Sequence, residues 1–205
     1  MGLYIYDGKD IKHFKYGDGV GSGQIHDILV DKNNYWLATT DGFVHYTGLE
    51  FNNHRVHGIN SNIRKVFKSP SGELFISPAI AWGSSKQHGL YKYDGFQFQP
   101  VSSTKFNTNV RDVIFDENGG MFYNSSEYFI HYNGDYHQSY SPRWSTNTGM
   151  TWIFTMDHSK DGTIMIGTWE SGVWKYDMKS VNVISDVDGI QAWVNGMVVD
   201  NDNNL

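Results

Sequence analysis

The chain has no cysteine and only 4 prolines in 205 residues. Without thiols it forms neither disulfides nor thiolate metal sites, and its redox compartment is left open. Cationic side chains are scarce as well: 16 Lys and Arg stand against 22 Asp and Glu, for a formal net charge of −6. No basic run is present to pair phosphates, so neither nucleic acid nor an anionic membrane is an expected partner. No stretch approaches the roughly 18 apolar residues of a spanning helix, so membrane insertion is not expected. No leader pattern opens the chain, since Met1 runs straight into a strand-like segment. Its 9 His are scattered, without a His-x-x-x-His pair or a tight cluster, which leaves no metal site to predict.

What the sequence does have is glycine, aromatic residues and a repeat. An apolar run, a polar turn, a second apolar run and a Gly-aromatic-x-Tyr run recur five times. One copy reads Ile25-His26-Asp27-Ile28-Leu29-Val30-Asp31, Tyr35-Trp36-Leu37-Ala38-Thr39-Thr40, Gly42-Phe43-Val44-His45-Tyr46. Others begin at Ile63, Val110, Ile153 and Val194. Stretches such as Val173-Trp174-Lys175-Tyr176 alternate with period 2, as half-buried strands do. Turns are expected at Asn33-Asn34, Ser71-Gly72, Asn118-Gly119 and Asp161-Gly162, and again at Asp94-Gly95 and its counterparts. A repeat of roughly 40–45 residues built of short strands predicts a β-propeller blade.

The expected architecture is all-β: a five-bladed β-propeller of four-stranded antiparallel blades, strands A to D from the centre outward. One domain covers 1–205, with blades at 25–56, 63–101, 110–140, 153–185 and a composite of 194–205 plus 2–16. In that composite, N-terminal strands C and D pair with C-terminal strands A and B and close the ring. It is a few residues shorter than the others, which points to a stunted strand B or a chain cut from a longer array. An incomplete blade also offers an edge for self-association.

The repeat resembles the two-component-regulator propeller repeat, through Asp161-Gly162-Thr163-Ile164-Met165-Ile166-Gly167-Thr168 with Gly172-Val173-Trp174-Lys175-Tyr176-Asp177, and through Gly89-Leu90-Tyr91-Lys92-Tyr93-Asp94-Gly95. Asn124-Ser125-Ser126 departs from it, standing where Gly-Thr is expected. The resemblance implies the fold across essentially the whole chain. It also implies an extracytoplasmic sensor setting, often one that responds to glycans.

In such a fold one face carries the B–C loops and D–A crossovers, and these vary most here, as binding loops on a rigid scaffold do. Trp82, Trp144, Trp152, Trp169 and Trp193 all fall on that face or its rim, whereas Trp36 and Trp174 lie inside strands as packing residues. A wide flat ring in a wet loop suits the apolar face of a sugar; the other role open to these rings is to plug gaps between blades. The residues just before each strand A are Gln24, Asn62, Asn109, Trp152 and Trp193. Amides both donate to and accept from hydroxyls, as a sugar requires, though they also serve as turn caps. The expected function is a non-catalytic recognition module taking a saccharide or similar small ligand at Trp82, Trp144, Trp152, Trp169, Trp193, Gln24, Asn62 and Asn109. It needs no cofactor and no metal. The rival readings are a carbohydrate-active hydrolase or lyase using Glu127, Glu170 or His88 on the same face, and a protein-interaction platform. Asp200-Asn201-Asp202-Asn203 reads as a turn rather than a calcium loop, because the Gly and distal Glu of that motif are missing.

Overall fold

The computed structural model describes residues 2–21, 24–54, 56, 62–79, 89–101, 109–125, 128–134, 137–140, 152–169, 171–184, 193–200 and 202–205. They fall into two compact units, Met1–Asn109 and Val110–Leu205. Unit 1 opens with an antiparallel pair, β1 (Leu3–Tyr6) and β2 (Ile11–Phe14). Two four-stranded antiparallel meanders follow. The first is β3 (Ile25–Asp31), β4 (Asn34–Thr39), β5 (Gly42–Tyr46) and β6 (Phe51–His54). The second is β7 (Ile63–Lys68), β8 (Leu74–Pro78), β9 (Tyr91–Tyr93) and β10 (Phe98–Pro100). Unit 2 repeats the plan twice. Its first meander is β11 (Val110–Phe115), β12 (Met121–Ser125), β13 (Tyr128–Tyr132) and β14 (His137–Tyr140). Its second is β15 (Ile153–His158), β16 (Ile164–Thr168), β17 (Val173–Tyr176) and β18 (Val181–Ile184). The described residues contain no helix. Of the composite blade, β1–β2 supply the expected strands C and D, while residues 193–200 lie in unit 2 without strand assignment. The clasp predicted to close the ring stays an expectation.

Period-2 alternation serves two cores at once. Along β4, Tyr35 and Leu37 join one apolar cluster with Leu3, Val20 and Val44, while Trp36 and Ala38 join another with Phe43, Ile63, Val66, Ile76 and Phe98. Each face of this sheet is therefore covered by a neighbouring sheet, which is how a four-stranded blade with two apolar faces escapes water. In unit 2 the counterpart cluster is Ile114, Phe122, Phe129, Ile153, Met156, Ile164, Ile166, Trp174 and Tyr176. Trp174 is buried there, and Trp36 stacks on His45 at 3.6 Å in unit 1, so both are packing rings.

Polar bonds tie neighbouring sheets together as well. Asp27 on β3 accepts the Val66 amide of β7 at 3.1 Å, and Asp112 on β11 accepts the Met156 amide of β15 at 2.9 Å. Both carboxylates occupy the same position of the repeat. Asn124, the departure from Gly-Thr, makes a similar bridge. Its carbonyl oxygen accepts the Arg111 and Asp112 amides, and its NH2 donates to the Ile153 carbonyl at 2.8 Å.

The turns follow their chemistry, with one correction. Asn34 is already paired with Asp31, so the β3–β4 turn is Lys32-Asn33, and Lys32 itself takes φ of 57°. The sequence reading placed it one residue later, because Asn-Asn is the stronger turn signal. After the Tyr strand, Asp94 accepts the Gln97 and Phe96 amides, and Asp177 accepts those of Ser180 and Lys179. These bonds hold both carboxyls below the usual Asp value. Asp200 likewise accepts the Asp202 and Asn204 amides, closing an A–B turn of the expected kind. Asp161 is lowered furthest, to about 2, by the Ser159 hydroxyl and the Thr163 amide.

Two outcomes are expected. Asp112 is 5% exposed, so Asp112→Ala leaves the Met156 amide enclosed without its acceptor. The unfolding free energy, read from urea titration, should fall by about 1–3 kcal/mol. The second concerns acid. A carboxyl whose folded pKa is depressed stabilises the fold above its unfolded pKa and loses that stabilisation as pH falls through the folded value. Between the ordinary 3.8 and about 2, stability should therefore drop, and Asp161→Asn should flatten that drop in a melting series from pH 5 to pH 2.

Candidate functional site

The first strand of every four-stranded sheet carries the same irregularity. Ile25 pairs with Thr39 but Asp27 with Ala38; Ile63 pairs with Pro78 but Lys65 with Ser77; Ile153 pairs with Thr168 but Thr155 with Gly167. One extra residue is thus held in each strand: His26, Arg64 and Phe154. In β11 the register slips between Val110 and Val113, around Arg111 and Asp112. A β-bulge bends its strand and re-aims a side chain that the regular pleat would place elsewhere. Backbone bonds fix the ends where the bulges sit. The Gln24 carbonyl accepts the Thr40 amide, Asn62 that of Ala79, and Trp152 that of Trp169, all at 2.8–2.9 Å. Thr39 and Thr168 donate their hydroxyls to the Gly42 and Gly172 carbonyls, tying off the start of the loop after the second strand.

In unit 2 this end of the sheets carries a run of aromatic rings. Trp169 stacks on Trp193 with centroids 3.9 Å apart and on Phe154 at 5.5 Å, and it tilts against Trp152 at 6.3 Å. The Arg111 guanidinium lies over Phe154 at 4.5 Å and over Trp152 at 5.3 Å, within cation–π range. The Val194 amide donates to the Thr168 carbonyl and so holds Trp193 against its neighbour. Trp193 keeps 55% of its surface exposed, while Trp152, Trp169, Phe154 and Arg111 are half-buried. The result is a ledge of indole rings open to solvent at one end and flanked by a cation.

The predicted residues divide accordingly. Trp152, Trp169 and Trp193 come together on this ledge. Gln24 and Asn62 stand at the corresponding place in unit 1, Gln24 exposed and Asn62 half-buried. Asn109 immediately precedes β11. The side-chain oxygens of Asn62 and Asn109 are enclosed yet have no hydrogen-bond partner among the described residues. Trp82 and Trp144 lie outside the described residues, as do Glu127, Glu170 and His88 of the catalytic rival. Sequence reasoning missed Phe154, Arg111 and Arg64. The signal that could have found them is the second position of each strand A, where His26, Arg64, Arg111 and Phe154 are large residues that differ from copy to copy beside a recurring aliphatic one.

A groove of about 510 Å³ lies at the other end of the unit 2 sheets, beside Asp116, Lys160, Asp161 and Met178. Two of its three carboxylates are engaged by their own turns: Asp116 accepts the Asn118 and Gly120 amides, and Asp161 the Thr163 amide. Among the described residues, no three His, Asp or Glu side chains group to hold a metal.

No protein-family model matches this chain, and neither does any curated protein. Solved structures do match. The extracellular domain of a hybrid two-component system from B. thetaiotaomicron shares 16% identity at a TM-score of 0.67, covering 94% of this chain and 29% of that one. Virginiamycin B lyase from Staphylococcus aureus shares 9% at 0.70, covering 89% and 61%. The calcium-binding protein regucalcin from Agrobacterium tumefaciens shares 12% at 0.63, covering 85% and 62%. The fold is that of a β-propeller. At these identities the likeness carries architecture and no activity, because the same scaffold hosts unrelated chemistries. The chain spans under a third of the two-component domain's length.

The stacked indoles give a direct readout. Trp193→Ala should remove the exciton signal of the Trp169–Trp193 pair from the circular dichroism spectrum. It should leave the melting temperature within a few degrees of the parent, since so exposed a ring contributes little packing. A spectrum unchanged by the substitution would mean that the rings do not stack.

Proposed function

We propose that this chain is a non-catalytic recognition module of the sensor type, working outside the cytoplasm, and that it binds a saccharide on the aromatic ledge. The observation that carries this reading is the Trp152–Trp169–Trp193 run. Flat rings with one face in water match the apolar C–H face of a pyranose, and burying that face is favourable without any charge pairing. Rigidity supports it too. The rings are pinned by the Trp152–Trp169 backbone bond and by the bulge at Phe154, so little side-chain entropy is lost on binding. The amides of Gln24, Asn62 and Asn109, at the corresponding strand ends, have the donor and acceptor chemistry that sugar hydroxyls require. The extracytoplasmic setting follows the two-component neighbour, which is an extracellular domain.

A glycan array on the purified chain, followed by tryptophan fluorescence titration of each hit, tests the proposal. Binding should shift the emission. Trp169→Ala should weaken it about tenfold, the scale of one lost aromatic contact. Hits whose affinity survives both Trp169→Ala and Trp152→Ala would place the sugar elsewhere, and turnover of a bound glycan would make the chain an enzyme.

A further inference from the structure

The groove at the turn end of the unit 2 sheets has no part in the ledge. Its volume of about 510 Å³ falls in the range of small-molecule sites. Ile114, Phe122 and Ile164, members of the unit 2 core cluster, form its floor. Its lip is Met178, which keeps 46% of its surface exposed. All of these residues belong to unit 2.

Met178 stands in an uncommon backbone conformation. In the other copies the turn after the Tyr strand carries Gly8, Gly48, Gly95 and Gly134, with φ between 90° and 102°. In the last copy the residue after Tyr176-Asp177 is Met178, at φ of 67°. A side chain in left-handed backbone costs free energy that glycine avoids. The turn itself does not call for it. Asp177 closes this turn through the Ser180 and Lys179 amides, just as Asp94 closes the Gly95 turn through those of Gln97 and Phe96. A strained residue standing where glycine would serve points to a use for its side chain. The thioether reaches toward Gly162 of the β15–β16 turn, its Cε 3.9 Å from where a side chain there would begin. Thioethers are polarizable, adapt their rotamers and make favourable contacts with aromatic rings.

The rim sets the charge that the groove accepts. Asp116, Glu117 and Asp161 line it, against Lys160. His158 lines it too, with Nδ1 3.6 Å from the Asp157 carboxylate. Asp116 is engaged by its turn amides and faces His131 Nε2 at 3.7 Å, and Asp161 accepts the Thr163 amide. The exposed Glu117 carboxylate has no hydrogen bond or ion pair among the described residues. Three carboxylates and one lysine around an apolar floor complement a cation with an apolar body.

We infer that this groove is a second binding site, separate from the ledge, for a small organic cation: an ammonium group among Asp116, Glu117 and Asp161, carried on an aromatic or aliphatic body that packs against Met178. The inference does not rest on the saccharide reading.

The test is methyl NMR of the whole chain labelled at methionine, titrated with phenethylammonium, phenylpropionate and phenylethanol at matched ionic strength. Phenethylammonium should shift the Met178 methyl saturably, and phenylpropionate should not. Added salt should weaken the binding, because the rim charges are exposed. Glu117→Gln should weaken it about threefold, the scale of one exposed ion pair. Met178→Gly should weaken it at least about threefold, as loss of a thioether–aromatic contact does. The same variant should hold or raise the melting temperature, because it relieves the backbone at that turn. A Met178 methyl that phenethylammonium does not move overturns the inference. So does a Met178→Gly chain that melts lower and binds the amine as before, since the thioether then serves packing alone. Equal binding of all three probes overturns the cation class. An amine that changes the tryptophan emission and leaves Met178 unmoved sits on the ledge, and overturns the second site.

Discussion

Everything in these sheets depends on how closely the first strand of one blade can approach the second strand of the blade before it. At the point of contact β4, β12 and β16 carry Ala38, Asn124 and Gly167. At Gly167 an added methyl would sit 2.7 Å from side-chain carbons of both Thr155 and Val194, so nothing larger fits without moving a neighbour. Asn124 solves the same contact differently. It fills the space and turns it into three hydrogen bonds that join β11, β12 and β15. A buried amide is tolerated there because both its oxygen and its nitrogen are satisfied. With the strands this close, the apolar alternation of each sheet can be covered on both sides, and the aliphatic and aromatic clusters follow.

The close approach has a local consequence that bears on function. Each first strand is one residue too long for its partner at the tight end, and the surplus is taken up as a bulge. The bulged residue is then released from the ladder and from the core. His26, Arg64, Arg111 and Phe154 are therefore the positions at which the chemistry differs from blade to blade while the aliphatic residue beside each is kept. In unit 2 two of them border the indole ledge. The scaffold and the candidate site share one geometric cause, which is why the site lies at the end of the sheets where strand pairing is least regular.

Much of this was legible in the residues. The Gly-x-x-Tyr and apolar runs mark the first three strands of the four meanders, because period-2 burial leaves a direct trace in sequence. Asp-Gly and Asn-Gly turns mark most of the hairpins, because few residues adopt left-handed backbone. The Lys32-Asn33 turn was misplaced by one, since Lys32 takes φ of 57° without belonging to the usual turn vocabulary. Trp152, Trp169 and Trp193 are three of the five tryptophans that loop position singles out, and Trp82 and Trp144 lie outside the described residues. Arg111 and Phe154 were not legible, because within a strand they read as ordinary alternating residues, and a bulge has no composition of its own.

The sequence by itself determined the repeat, the strand order within each blade and the all-β class, for these depend on local periodicity and turn chemistry that every copy carries. Tertiary structure alone decided which rings stack and which charges stay uncompensated. Trp169 and Trp193 are 3.9 Å apart although 24 positions separate them in the chain. Whether Asp112 finds a partner depends on what the adjacent sheet presents at that height. Such pairings are set by the spacing of neighbouring sheets, a length that no single repeat encodes.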